Sequence, residues 1–362
     1  MSPDAVVDGL PYPVVIAADA AATLPGLIAP NCRAAVVVYD RQVEARAGAV
    51  AAALQAAGVD IRATIAIAGG ESAKSAAAVA ALYDAFLGSG ADRATWVIAV
   101  GGGTITDVAG FAAATYMRGV PWAAVPTTVL GMADAAIGGK TGIDLPQGKN
   151  LIGAFWDPSA VVADLASLAT LPARERSTGL AEAIKCAVVG DPPLLDLVAS
   201  ATAQAPSDVW KEIVRRAGAV KARIVAADPL ERGRRAVLNL GHTVGHAIES
   251  ASAYRVPHGE AVSVGLRAAG LIAKTHAGWE RADHRRLLTA LREAGLPLVV
   301  ADASVDAVMS ALAADKKSAG GQLRFVLPFK IGDVRHGIHV DRPTVRSAVE
   351  ACLSPPSAAE TG

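Results

Sequence analysis

The chain has 362 residues, enough for two average domains, and its 52% apolar content supplies a large core. Its 34 basic and 34 acidic side chains cancel, which excludes the broad cationic face of a nucleic-acid or membrane-surface binder, so any anion must be bound locally. Only 10 of the cations are lysine and all seven histidines follow residue 241, which assigns imidazole chemistry to the last third. The opening MSPDAVVDGL lacks the cationic and apolar regions of a secretory signal, and no stretch reaches the ~20 apolar residues of a membrane span. A soluble cytoplasmic protein is expected. Cys32, Cys186 and Cys352 are far apart and form no C-x-x-C pair, in keeping with reduced thiols.

Along residues 13–168, the β-branched runs VVIAAD, AAVVVYD, ATIAIAGGE, TWVIAVGGG, AAVPTT and AVVADL alternate with Ala-rich helical stretches. That alternation predicts βαβ units and a mostly parallel sheet. After LATLPARE the texture changes to long segments with apolar residues three and four apart, such as DVWKEIVRRAGAVKARIVAAD, which predicts a mainly helical second half. The boundary falls near Pro172, and a cleft between the halves is the default ligand site. The Pro/Ser-rich tail SPPSAAETG is expected to be disordered.

WVIAVGGGTITDVAGFAAA reads as a buried strand, three glycines and a helix start, a pattern that lets backbone approach a phosphate. Thr106 stands where G-x-G-x-x-G has its third glycine, so the dinucleotide fingerprint fails as a literal match and a glycine turn without ligand fits as well. Asp40 ends an earlier strand where a carboxylate could take a ribose hydroxyl, although a turn aspartate looks the same. In VPTTVLGMADAAIGGKTGIDLPQGKNLIGAF, Asp134, Lys140, Lys149 and Asn150 lie among glycines after Thr127 and Thr128, which predicts a long functional loop able to hold an anion.

GLAEAIKCAVV places Glu182 and Lys185 on one helical face amid apolar neighbours, as an ion pair or a cleft pair. His242 and His246 stand four apart in LNLGHTVGHAIES, and His258 follows in VPHGEAV. Each histidine alone fits a structural role. With one carboxylate, two of them make a three-ligand zinc site with an open position. Lys221, Glu231, Arg235 and Asn239 precede His242, and Arg235 could hold a carboxylate bidentately; the remaining histidines, His276, His284, His336 and His339, are expected at the surface.

Together these segments resemble the 3-dehydroquinate synthase branch of the sugar-phosphate cyclases over residues 13–350, through GGGTITDVAGFAAATYMRG, PTT, GGKTGIDLPQGKN, TLPARE, GLAEAIK, LNLGHTVGHAIE, HGEAV and DKK in order. The resemblance implies an α/β, Rossmann-like NAD-binding domain over 1–170, a mainly α-helical metal- and substrate-binding domain over 171–353, and a homodimer using NAD⁺ with Zn²⁺ or Co²⁺. It implies Glu182, His242 and His258 as metal ligands, with His246 near the substrate phosphate. Asp134, Lys185 and Asn239 would surround ring hydroxyls, and Lys221 and Arg235 the carboxylate. Lys140, Asn150 and a DKK lysine, Lys316 or Lys317, would take the phosphate, with Arg118 reaching the neighbouring subunit's phosphate. For NAD the matching positions are Asp40, Glu71, Lys74, Gly103, Asp107, Thr127, Thr128, Lys140, Lys149 and Thr170.

The implied reaction converts 3-deoxy-D-arabino-heptulosonate 7-phosphate to 3-dehydroquinate and phosphate through transient oxidation, β-elimination, reduction and aldol closure. Thr104, Thr106, Asp144 and Cys186 depart from the commoner pattern, Asp144 by placing a carboxylate beside an anion site. Lys221, Arg235, Asn239 and His246 argue against branches whose substrates lack a carboxylate. An aminodehydroquinate variant, a metal-dependent polyol dehydrogenase and an inactive nucleotide-binding relative are the competing readings.

Overall fold

The protein's structure, a computed structural model, describes residues 4–201, 205–318, 323–356 and 360, the side chains of 315–318 excepted. Two units are resolved, Met1–Pro172 and Ala173–Gly362.

In the first unit the β-branched runs form the seven-stranded sheet β1-β2-β9-β6-β5-β3-β4. Its strands are β1 (Ala5–Val7), β2 (Val14–Ala17), β3 (Ala34–Asp40), β4 (Asp60–Ile67), β5 (Trp96–Gly101), β6 (Trp122–Pro126) and β9 (Ala160–Asp164). All neighbours are parallel except β1 against β2. The inner strands are apolar throughout because helices cover both faces of such a sheet, whereas the edge strand β4 alternates. The covering helices are α1 (Ala20–Ile28), α2 (Glu44–Ala56), α3 (Ala76–Gly88) and α4 (Gly103–Thr115). The chain runs β3–α2–β4 in one direction, then returns to place β5 on the other side of β3. That reversal sets Asp40 and the Gly101–Gly103 turn at adjacent carboxyl ends, the crevice where doubly wound sheets bind ligands.

The glycine-rich run after β6 is not the long loop expected from its composition. A π-helical turn, Gly131–Ala135, leads into an antiparallel hairpin of β7 (Lys140–Leu145) and β8 (Gly148–Phe155). Gly142 faces Gly153, and a Cβ on either would lie 2.6 or 2.3 Å from a carbonyl of the opposite strand. These glycines permit close backbone approach within a ladder, a role composition cannot distinguish from a flexible loop.

The second unit comprises α5 (Ala173–Gly190), α6 (Leu194–Ala199), α7 (Ser207–Ala227), α8 (His242–Ala251), α9 (His258–His276), α10 (Arg281–Glu293), α11 (Val305–Ser318) and α12 (Arg342–Cys352), with one hairpin, β10 (Arg324–Lys330) and β11 (Asp333–His339). Helices α5 and α9 are buried over most of their length. Glycines set the spacing: a Cβ on Gly265 would lie 2.0 Å from the carbonyl oxygen of Gly241, and one on Gly259 would lie 2.0 Å from that of Thr178. The chain therefore packs α8 and α5 directly against the backbone of α9. Among the described residues no helix is long and apolar enough to cross a membrane.

One expectation is corrected here. His284 is fully buried in α10, receiving a hydrogen bond from Trp279 Nε1 at 3.3 Å on its Nδ1, and Gly270 leaves the room its ring needs. Hydrophobic spacing could not reveal this, because α10 alternates charge and leucine like an exposed helix. In the tail, Glu360 is buried and accepts both Arg267 Nε and Nη2 at 3.0 and 2.9 Å. Residues 357–359, 361 and 362 lie outside the described residues.

Burial, then the nearby Lys274, lowers the His284 pKa from 6.5 to about 4 despite Glu360. Between these values the unfolded chain binds a proton that the folded chain does not, so stability falls as pH drops through that window, by about 3 kcal/mol in all. Urea unfolding across pH 4–7 is expected to show a shallower acid limb for His284→Gln than for the wild type. Parallel limbs would show that His284 is not the group responsible.

Candidate active site

In the first unit Lys74 is the centre of a polar network. It is 6% exposed, and its Nζ donates to Asp107 Oδ2 at 2.8 Å and Asn150 Oδ1 at 2.6 Å. Burial opposes its charge, but Asp107 and Glu71 outweigh that and raise its pKa. Glu71 Oε1 in turn pairs with Lys149 Nζ at 2.7 Å. The departure at Asp144 has a local reason: its Oδ1 accepts the Asn150 N–H at 2.7 Å and holds Asn150 at φ +54°. The carboxylate is therefore engaged in shaping the hairpin.

The other nucleotide candidates follow the crevice. Gly103 opens α4, and a Cβ there would meet Ala135 at 3.1 Å, so the glycine allows the turn to sit close. Thr106, the break in the fingerprint, returns its hydroxyl to the Gly103 carbonyl at 2.9 Å and buries itself in α4. Thr127 is buried and donates its N–H to Gly101, while Thr128 Oγ1 accepts the Gly131 N–H at 3.1 Å. Asp40 Oδ1 caps the turn at Gln42 at 2.9 Å, and Gly69 packs against its carboxylate. Thr170 is exposed and donates its hydroxyl to the Ser167 carbonyl at 3.3 Å. Asp134 lies in the π turn, and Lys140 is exposed at the start of β7. Arg118 is also exposed, in a turn where Met117, Arg118 and Gly119 have φ of 49°, 68° and 117°.

The second unit brings Glu182, His242 and His258 together. Glu182 is 0% exposed on α5, and Nε2 of each histidine lies 3.4 Å from its Oε1. Lys185, one turn along α5, pairs with Oε2. Three nitrogens, one from each of Lys185, His242 and His258, lie at ion-pair range of its two oxygens. Burial opposes ionisation, but Lys185 and the imidazoles hold the carboxyl well below its usual range. Both histidines occupy their Nδ1 elsewhere, His242 at 3.2 Å from the Leu240 carbonyl and His258 beside Glu249, so both Nε2 atoms face Glu182. One carboxylate and two imidazole nitrogens converging within 4.8 Å fit a divalent metal. Without an ion, burial works against the charge on His258, but Glu182 and Glu249 lift its pKa to about 10.

His246 lies one turn beyond His242, with its side chain 55% exposed and Nε2 4.0 Å from Glu249 Oε2. Lys221 and Arg235 are 7% and 1% exposed. Arg235 donates to the Pro229 carbonyl at 2.6 Å, and Asn239 Nδ2 donates to Glu231 Oε1 at 2.9 Å. Asp228 shapes this loop by accepting the N–H groups of Arg232, Gly233 and Arg235 at 2.9, 2.8 and 3.0 Å. The side chains of Lys316 and Lys317 lie outside the described residues. Sequence reasoning passed over Asp228 and Glu249, and left Glu231 without a role. The spacing of Glu249, seven residues after His242 and therefore on its face of α8, was the available signal.

Residues 64–178 match the family described as 3-dehydroquinate synthase N-terminal, and residues 179–318 match 3-dehydroquinate synthase C-terminal. The 3-dehydroquinate synthase of Symbiobacterium thermophilum is 41% identical over 351 residues, covering 94% of this chain and 97% of that protein. That of Caulobacter vibrioides is 44% identical over 322 residues, covering 86% and 87%. Among solved structures, the 2-epi-5-epi-valiolone synthase of Streptomyces hygroscopicus subsp. jinggangensis 5008, with NAD⁺ and Zn²⁺ bound, superposes with a TM-score of 0.86 at 30% identity, covering 96% of this chain and 98% of that one.

The ligand set separates the neighbouring histidines experimentally. His258→Ala is expected to lose bound zinc on dialysis, measured by atomic emission, while His246→Ala retains it and turns over more slowly. Equal zinc loss in both variants would overturn this assignment.

Proposed function

The chain belongs to the 3-dehydroquinate synthase family, and from that membership we propose that it carries out that family's reaction, converting 3-deoxy-D-arabino-heptulosonate 7-phosphate to 3-dehydroquinate and phosphate. NAD and a divalent metal are its cofactors, in keeping with solved relatives that carry NAD⁺ with Zn²⁺ or Co²⁺. When bound, NAD⁺ supplies a temporary hydride acceptor and the metal supplies Lewis acidity toward a substrate hydroxyl. Glu182, His242 and His258 are the proposed metal ligands. Asp40, Glu71, Lys74, Gly103, Asp107, Thr127, Thr128, Lys140, Lys149 and Thr170 are the proposed nucleotide positions.

The observation that carries this reading is the buried charge of the second unit. Lys185, Lys221 and Arg235 are at most 7% exposed, around the same helices that hold the ligand set. Besides the contacts they make within the protein, such as Lys185 with Glu182, buried cations interact strongly with an anionic ligand and little with a neutral polyol. A substrate with a carboxylate and a phosphate supplies such anions. Arg235, oriented by the loop that Asp228 organises, suits bidentate carboxylate binding, with Lys221 as a point charge. Asn239 is set by Glu231 for a ring hydroxyl, with Asp134 and Lys185 as further hydroxyl partners.

Lys140, Asn150, His246 and a lysine of the 316–317 pair are assigned to the phosphate, and Arg118 to the phosphate of a neighbouring subunit in a homodimer. Asn150 has its amide oxygen committed to Lys74, which turns its NH₂ into the donor. Such cations hold a leaving phosphate where one of its oxygens can take the proton that elimination releases. Lys185 Nζ, paired with Glu182, can stabilise oxyanion character at the neighbouring substrate oxygen. The overall conversion leaves no net redox change, so these residues act through orientation and fixed charge.

Phosphate release measured with catalytic NAD⁺ tests the proposal. Many phosphates per NAD⁺ are expected, with activity abolished by chelator and restored by Zn²⁺ or Co²⁺. NADH accumulating in step with phosphate, or release indifferent to metal removal, would sink it. NADH formation from glycerol without phosphate release would instead mark a polyol dehydrogenase.

A further inference from the structure

We propose that Glu249 is a positioning residue that fixes the ring of His258 for metal binding. The inference rests on the metal reading above and extends it to a residue outside the ligand set. Both carboxylate oxygens of Glu249 lie 3.4 Å from His258 Nδ1, while Nε2 of the same ring lies 3.4 Å from Glu182 Oε1. The imidazole therefore stands between two carboxylates with its nitrogens divided between them. A carboxylate accepting Nδ1–H places the ring proton there and leaves the Nε2 lone pair for an ion.

His242 receives the same service from a different group. Its Nδ1 meets the backbone carbonyl of Leu240, within the turn that precedes α8. His258 begins α9 directly after Pro257, which supplies no comparable carbonyl contact among the described residues, and its side chain is 30% exposed. A side chain from the neighbouring helix takes that place. Glu249 lies seven residues after His242 on α8, and Gly245 lets α8 approach Ala261 and Val262 of α9, where a Cβ would be 3.1–3.3 Å from their backbone. The carboxylate is 2% exposed. A group this buried is unfavourable as a packing element and is retained where it meets a donor or cation. It also explains a sequence feature that the ligand set leaves unused, the glutamate that closes HTVGHAIE.

The test compares the full-length wild type, Glu249→Gln, Glu249→Ala and the ligand variant Glu182→Gln. Zn²⁺ affinity is read by chelator competition, coordination by the visible spectrum of the Co²⁺ form, and folding by the melting temperature of the metal-free protein. Glu249→Ala is expected to bind Zn²⁺ about 10–100-fold more weakly. Glu249→Gln, isosteric and still able to accept from Nδ1–H, is expected to recover part of that loss. Both should keep one ion per chain and a Co²⁺ spectrum of unchanged coordination number. Zn²⁺ affinity within twofold of wild type in both variants would overturn the proposal, whether or not the melting temperature falls. Two ions per wild-type chain falling to one in Glu249→Ala would overturn it too, by making Glu249 a ligand. A wild type that binds no ion, or a Glu182→Gln variant that binds as tightly as wild type, would remove the metal reading itself.

Discussion

The ionised, fully buried carboxylate of Glu182 is the constraint from which the second unit follows. Placing a bare carboxylate in a protein interior costs several kcal/mol unless cations or hydrogen-bond donors meet it. Here Lys185, His242 and His258 meet it from three directions. The helices are arranged to deliver those groups. Helix α5 is apolar around the Glu182–Lys185 turn, and Gly259 and Gly265 let α5 and α8 lie against the backbone of α9, so that His242 and His258, both first residues of helices, reach one oxygen.

The first unit solves a related problem with a lysine. Lys74 is buried and charged, and its acceptors come from α4 and the β7–β8 hairpin, two segments that the sheet alone does not join. Asp144 extends the network by accepting from the backbone of Asn150, and the hairpin returns the contact through its Asp144 N–H to the Lys74 carbonyl at 2.8 Å. Around the ends of β3 and β5, polar groups are thus held by contacts within the protein itself.

Burial decides which charged residues are informative. Arg215 and Arg216 pair with Glu212 and Asp191 in partly exposed bridges worth little. Arg235 is a residue of the same type but is 1% exposed, and nothing in its immediate spacing announces that. Its residue type beside Lys221 suggested a carboxylate partner, and the resemblance in motif order implied the same role. His284 shows the reverse failure: an unremarkable histidine in a charged helix is buried, because Trp279 and Gly270 form its pocket.

By itself the sequence determined the alternation of strands and helices in the first unit and the helical texture of the second, which depend on local periodicity. The ligand set it carried only through its resemblance in motif order. Only the tertiary structure decided that the glycine-rich run is a paired hairpin, that Asp144 serves Asn150, that Glu249 stands behind His258, and that Glu360 meets Arg267. Each of those outcomes depends on which backbone atoms come within a few ångströms across long separations. Packing sets such distances, and a linear pattern of residue types does not encode them.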